Sequence, residues 1–285
     1  MNLVISSKTI DNPLLVELLR ELTDIFDSMG QCYYIIGATA RDIIIQQLTG
    51  GRARRKTRDL DIAIAIPNWE IFEQVSEQLI TNGFKKSRHM HQRFYYGEYE
   101  LDVVPFGDVA KEDDSIYWPP EETIAMSVKG FDNVLSNAVT ISIDNEFDIK
   151  IASLHGLFIL KLEAWRDRNM KTGKDAADMS FILAQYHSAN LSCNAHTEIY
   201  EWDDFEEYVA GAYWLAWDLL SILTIENIEY YKNFIDSEIQ KEVDSKLIND
   251  ILEQDTDTVG LKYETVKRAL QKIVDVFHAR LIDEN

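Results

Sequence analysis

The chain has 285 residues, 46% hydrophobic and 27% charged, with 28 basic against 49 acidic side chains and a net charge of −21. The balance is that of a globular protein of one or two domains, and with 5 Pro and 12 Gly it excludes collagen-like or low-complexity character. A uniformly acidic surface would repel nucleic acid and anionic membrane, so the charge argues at first against a protein that handles polyanions.

The N-terminal segment MNLVISSKTIDNPLL lacks the basic start and long apolar core of a signal peptide. No run of 18 apolar residues follows, so no helix is expected to span a membrane, and the expected location is the cytoplasm. Cys32 and Cys193 form no CxxC pair and are expected as reduced, mostly buried thiols.

Asn12 and Pro13 open a predicted helix over 13–29, with Leu15, Leu18, Leu19, Leu22, Ile25 and Phe26 at helical spacing. CYYIIG reads as a short buried strand that ends at Gly37, and ATARDIIIQQL as a helix leaving it. GGRARRKT is a glycine-rich basic loop. DLDIAIAI then becomes a buried strand stopped by Pro67, followed by an amphipathic helix over 68–81. FKKSRHMHQRFYYG and YELDVVPFGD read as a hairpin around Gly97, and AVTISI as a further strand over 138–143.

From residue 151 onward the pattern is helical, over 153–168, 174–187, 202–223, 227–252 and 262–281. The expected class is α+β: a mixed β-sheet flanked by helices in residues 1–150, and a helical domain in 151–285. WDDFEEYVAGAYWLAWDLLSIL carries Trp, Tyr and Leu at helical spacing and reads as core.

Three features carry chemistry. Asp59 and Asp61 alternate along one strand and therefore project to one face, about 7 Å apart. They repel each other unless a cation lies between them, and carboxylate oxygens suit Mg²⁺. Asp102 starts a second strand and, if that strand is a neighbour, completes a three-carboxylate cluster of the kind that holds two metal ions for in-line phosphoryl chemistry. The Gly37-Ala38-Thr39 turn opens a helix whose N-terminus can receive phosphate oxygens, and Arg41 in its first turn either reaches a phosphate or pairs with Asp42.

IIGATARDI followed by TRDLDIAIAI resembles the head of the polymerase-β-type nucleotidyltransferase superfamily, and the Gly-x-x-x-Arg-Asp form is similar to its tRNA CCA-adding and poly(A) polymerase branch. No RRxD-type nucleotide-selecting motif follows. The later chain, FILKLEAWRDR and GKDAADM, resembles instead the AbiEii-type nucleotidyltransferase toxins of bacterial toxin–antitoxin pairs. The resemblance covers residues 30–185. It implies an enzyme that transfers NMP from an NTP to a hydroxyl of tRNA, a protein or a small molecule, with Mg²⁺ or Mn²⁺ as cofactor and an antitoxin as partner. It places Gly37, Ala38 and Thr39 at the triphosphate turn and Asp59, Asp61 and Asp102 as catalytic metal ligands. Position 38 is Ala where many members have Ser, which removes a hydroxyl contact to phosphate. Lys161 and Asp175 join Arg41 as nucleotide-binding candidates, with Asp178 beside them.

The residues themselves keep alternatives open. Lys161 borders an apolar helical stripe and either snorkels to solvent or aims at a triphosphate. Asp175 and Asp178 share a helix face that is either a solvated first turn or part of the site. A non-catalytic nucleotide- or partner-binding protein is the main alternative, and a phosphohydrolase or kinase using the same acids is a third reading.

The net charge divides unevenly. Residues 197–257 hold 3 basic and 17 acidic side chains, whereas residues 52–58 carry 5 basic side chains in 7 positions. Arg55, Arg58 and Arg93 are candidates for holding a polyanionic acceptor. Tyr95, Tyr96 and Tyr99 either stack a base or pack a strand, and His89 and His91 read as surface residues. The acidity thus disfavours broad nucleic-acid binding but not a local, metal-dependent nucleotide site.

Overall fold

A computed structural model describes residues 3–283 apart from 11, 51–57, 123–124, 193–194, 256–257 and 259. The basic loop, with Arg55, and Cys193 therefore lie outside the described residues. The chain divides into two compact units, Met1–Ser153 and Leu154–Asn285.

The first unit is built on β1 (Leu3–Ile5), α1 (Pro13–Ser28), β2 (Tyr33–Ile36), α2 (Gly37–Thr49), β3 (Asp59–Ala65), α3 (Trp69–Thr81), β4 (Lys85–Lys86), β5 (Arg93–Tyr96) and β6 (Tyr99–Phe106). It continues with β7 (Ser115–Tyr117), β8 (Ala125–Ser127), α4 (Phe131–Ser136), β9 (Val139–Ile143) and β10 (Phe147–Ile151). Eight strands form one mixed sheet in the order β1-β9-β10-β2-β3-β6-β5-β4, and β7 and β8 pair separately. The pairs β1/β9, β10/β2 and β3/β6 are parallel and the others antiparallel.

Local chemistry explains the elements that matter. Asn12 caps α1 by accepting from the Leu14 amide, with Pro13 at the first helical position. β3 buries Leu60, Ile62 and Ile64 completely, each worth about 1.5–3 kcal/mol on removal from water. Phe94, Leu101 and Val103 are equally buried on the neighbouring strands. Asn68 caps α3 by accepting from the Ile71 amide.

The sheet is larger than the sequence pattern indicates. β1, β7, β8 and β10 were not expected. β10 alternates Phe147, Asp148, Ile149, Lys150 and Ile151, and it is joined to β9 by a turn in which Asp144 and Asn145 are both left-handed. The first half of the expected hairpin splits into β4 and β5, because the Ser87 hydroxyl accepts from the amides of His89 and Met90 and turns the chain. Cys32 is exposed rather than buried; it precedes β2 at the surface, 3.4 Å from the Lys150 ammonium.

The second unit holds α5 (Leu154–Arg168), α6 (Lys174–Ala189), α7 (Glu207–Leu220), α8 (Ile225–Ile239), α9 (Lys246–Gln254) and α10 (Tyr263–Asp283). The single helix expected over 227–252 is two. Ser245 caps α9 by accepting from the Ile248 amide, and the buried Glu238 carboxylate accepts from the Ser245 hydroxyl and the Leu247 amide. A serine cap inside an apolar repeat ends one helix and starts the next. The helix expected from residue 202 begins at Glu207. Trp214, Leu215 and Leu219 are buried as the core reading of this segment requires. Gly211 lets α7 close on α6: a Cβ there would lie 2.5 Å from the Leu183 carbonyl oxygen. No described helix is long and apolar enough to cross a membrane.

Candidate active site

Strand register assembles the acids. In β3, Leu60 faces the core, so Asp59 and Asp61 share the opposite face, Asp59 exposed and Asp61 half-buried. β3 and β6 run parallel with Asp61 opposite Asp102 and Asp59 opposite Glu100. Residues in register on adjacent strands point the same way, about 5 Å apart. Asp59, Asp61, Glu100 and Asp102 therefore form a grid on one face of two neighbouring strands. Glu100 escaped the sequence reading, although its spacing of two from Asp102 puts it on that face.

Across the next strand, β5 runs antiparallel to β6 with Arg93 opposite Asp102. The Arg93 guanidinium donates from Nε to Asp102 Oδ1 and from Nη2 to Oδ2, both at 2.8 Å, and from Nη1 to Glu100. Bidentate charge-assisted pairs of this kind are short and strong. The bond to Asp102 raises the guanidinium above its already high ordinary value against the opposing effect of burial. Asp102 was expected to turn toward Asp59 and Asp61 in a three-acid cluster. Instead it gives both oxygens to Arg93, and among the described residues no three His, Cys, Asp or Glu side chains stand in metal-holding geometry.

The turn before α2 meets the grid from the other side. Ile36 of β2 lies opposite Asp61, and Gly37 follows with φ +72°. A Cβ at position 37 would fall 2.3 Å from Asp61 Oδ2. Glycine is required both by the left-handed backbone and by the carboxylate against it. Thr39 donates its hydroxyl to the Asp59 carbonyl oxygen at 3.1 Å and ties the first turn of α2 to β3. Ile36, at the N-cap of α2, has no polar side chain to cap the helix, so its positive end is presented by backbone. Ala38 is half-buried, whereas Gly37, Thr39 and Ala40 are buried. Arg41 is buried and pairs with Asp42, Nε to Oδ1 at 2.8 Å, the second of its two expected roles.

The other candidates are separated from this grid in their partners. Arg58 is exposed and pairs with Glu98 at 2.9 Å. Tyr99 is buried and packs, Tyr96 donates to Glu17, and Tyr95 is exposed beside Lys85 in the β4/β5 pair. His91 stacks on Trp118, while His89 is exposed.

Lys161 and Asp175 belong to the second unit, and there they meet. The Lys161 ammonium lies 3.5 Å from Asp175 and 2.7 Å from Asp178. Asp175 is fully buried in the first turn of α6 and receives Arg168 bidentately, Nε at 2.7 Å and Nη2 at 2.8 Å. Burial pushes its carboxyl up, but the Arg168 bonds and the Lys161 and Arg168 charges outweigh this and hold it below its ordinary value. Arg168 was missed in the sequence because it sits one helix away, seven residues before its partner.

The model of the family described as "Nucleotidyl transferase AbiEii toxin, Type IV TA system" matches residues 27–274, across both units. The chain belongs to the AbiEii nucleotidyltransferase toxin family. It is therefore a nucleotidyltransferase, and the non-catalytic alternative is set aside. Comparison with the curated proteins finds no match.

Among solved structures, the AbiEii-family chain overlaps the antibiotic-resistance factor ANT(2'')-Ia in solution at 13% identity, covering 63% of this chain and 84% of that one, TM-score 0.35. A crystal structure of ANT(2'')-Ia with adenylyl-2''-tobramycin overlaps at 14% identity over 70% and 97%, TM-score 0.35. A CCA-adding enzyme with ATP overlaps at 12% identity over 97% and 85%, TM-score 0.33. Overlaps this loose do not bear on the site, and the family rests on the sequence match.

Proposed function

We propose that the protein transfers a nucleoside monophosphate from an NTP to an acceptor hydroxyl of a tRNA, a protein or a small molecule, and acts as the toxin of a toxin–antitoxin pair in the cytoplasm. The observation that carries this reading is the register of β3 against β6, which sets Asp61 beside Asp102 and Asp59 beside Glu100 on one strand face. Like charges so placed repel by amounts that only a counter-charge offsets.

The donor set fits a hard divalent cation, because every candidate atom is a carboxylate oxygen. Asp59, Asp61 and Asp102 would hold Mg²⁺ or Mn²⁺. Bound there, the cation supplies charge neutralisation for the triphosphate and the departing pyrophosphate.

The chain's own residues do the rest. The Gly37-Ala38-Thr39 turn and the uncapped start of α2 bind phosphate oxygens through backbone N–H groups. Thr39 keeps that turn fixed to β3. The acceptor oxygen forms a bond to the α-phosphorus as the bond to pyrophosphate breaks, and the acceptor proton passes to Asp102. In the second unit Lys161, a compact cation, is held by Asp175 and Asp178 and is the nucleotide-binding candidate of that unit. On this reading 1–150 is the catalytic domain and 151–285 a helical domain. Arg58 meets the acceptor, and Arg41, buried on Asp42, braces α2.

Labelled NTPs, each with Mg²⁺ and with tRNA, total protein or metabolite extract, test the reading with wild type and Asp61→Asn. Label transfer in wild type alone is expected. Absence of transfer from every NTP to every acceptor, or equal transfer by Asp61→Asn, sinks it. Release of orthophosphate without labelled acceptor would point to a hydrolase. Relief of growth arrest by a co-expressed partner protein tests the toxin role.

A further inference from the structure

We propose that Arg93 is an internal counterion that competes with the divalent cation for Asp102, so that the cation binds only as the guanidinium is displaced toward Glu100. This rests on the reading of Asp59, Asp61 and Asp102 as the cation site. Three observations carry it.

The first is geometric. Both Asp102 oxygens accept from Arg93 at 2.8 Å, and the remaining guanidinium nitrogen donates to Glu100. All three nitrogens of Arg93 are committed to acids of the protein. That is the arrangement of a counterion, not of a group waiting for an acceptor phosphate.

The second is topological. Arg93 stands opposite Asp102, and Asp102 opposite Asp61, in one row across three hydrogen-bonded strands. The backbone ladder fixes the pairing, so it does not depend on a side chain wandering over the surface. The Arg93 side chain is 22% exposed and that of Asp102 17%, and so partly buried a pair is weakly screened.

The third is the outcome for the acids. A carboxylate bonded on both oxygens by a cationic fork is directed at the fork, and Asp102 completes no three-ligand group among the described residues. A divalent ion and a guanidinium on the same carboxylate repel each other. Glu100 offers the displaced guanidinium a partner on the same strand, two residues away, so its charge does not have to be stranded.

The test is Mn²⁺ binding to the intact protein without nucleotide, read from the free-ion electron paramagnetic resonance signal. Wild type, Arg93→Gln and Arg93→Lys are compared, each with and without Asp102→Asn. Removing a charge-assisted pair of this strength should tighten Mn²⁺ binding by about tenfold in Arg93→Gln. Lysine keeps the charge but loses the fork, so Arg93→Lys should gain less, and it covers the case in which the glutamine variant does not fold. Both gains should vanish beside Asp102→Asn. Unchanged or weaker Mn²⁺ binding in both folded Arg93 variants, with wild type binding normally, overturns the counterion. So does a gain that persists in full beside Asp102→Asn. Absence of Mn²⁺ binding in every protein overturns the cation reading itself.

Discussion

Two charged clusters in this protein are built on opposite plans. On the sheet, Asp59, Asp61, Glu100 and Asp102 share a strand face with Arg93, and strand register forces the acids side by side. In the helical unit, Asp175 and Asp178 meet Lys161 and Arg168, and the most buried acid receives the most hydrogen bonds. The sheet cluster keeps its acids close to solvent, where a ligand can reach them. The helical cluster buries its central carboxylate and closes around it. A buried ion group of the second kind is costly to break, because removing one partner strands the others.

Four substitutions sharpen that comparison. On the proposed cation reading Asp61→Asn should lower transfer by about 10³-fold with the melting curve nearly unchanged, since asparagine keeps the size of the side chain; activity and thermal unfolding measured together check it. Asp175→Asn should do the reverse: a stability loss of about 3 kcal/mol in denaturant unfolding, with activity falling less than in Asp61→Asn.

The pH dependence of that loss has a defined sign. The folded Asp175 carboxyl titrates below its ordinary value of 3.8. Its contribution is complete above that value and is lost as pH falls through the lower, folded one. The stability gap between wild type and Asp175→Asn should therefore be full at neutral pH and close in acid below 3.8. A gap that stays constant into strong acid would remove the ion pair from the explanation.

Gly37→Ala should cost about 1–3 kcal/mol for a left-handed alanine, and its methyl group should push Asp61 aside, so activity should fall further than stability does. Arg58→Gln, at an exposed pair with Glu98, should change stability by no more than about 0.5 kcal/mol. Any effect it has on acceptor KM then reports binding.

The parts legible in the sequence are those encoded within a few residues. Asp59-Leu60-Asp61 shows by its own alternation that the acids share a face, and Gly37 after YYII marks a strand-to-helix turn. Pairings between distant segments were not legible. The expected hairpin around Gly97 does lay β5 against β6, but only its exact turn, with Tyr96 opposite Tyr99, sets Arg93 on Asp102. The pairings of Arg93 with Asp102 and of Arg168 with Asp175 depend on side-chain placement that residue spacing does not show. The break between α8 and α9 was obscured for another reason: the apolar repeat continues through it, and only the capping role of Ser245 with Glu238 interrupts the backbone.

The pairing of β3 with β6 also says where this protein can vary in length. Side chains on a strand alternate faces, so one residue inserted between Tyr99 and Glu100 would turn Asp102 into the core and bring Leu101 out in its place. Inserted after Pro67, in the loops that join α3, β4 and β5, the same residue can be absorbed without moving a strand. The acids are thus protected by parity inside two short strands, and the long excursion between them is free to drift, provided it returns to the ladder in step.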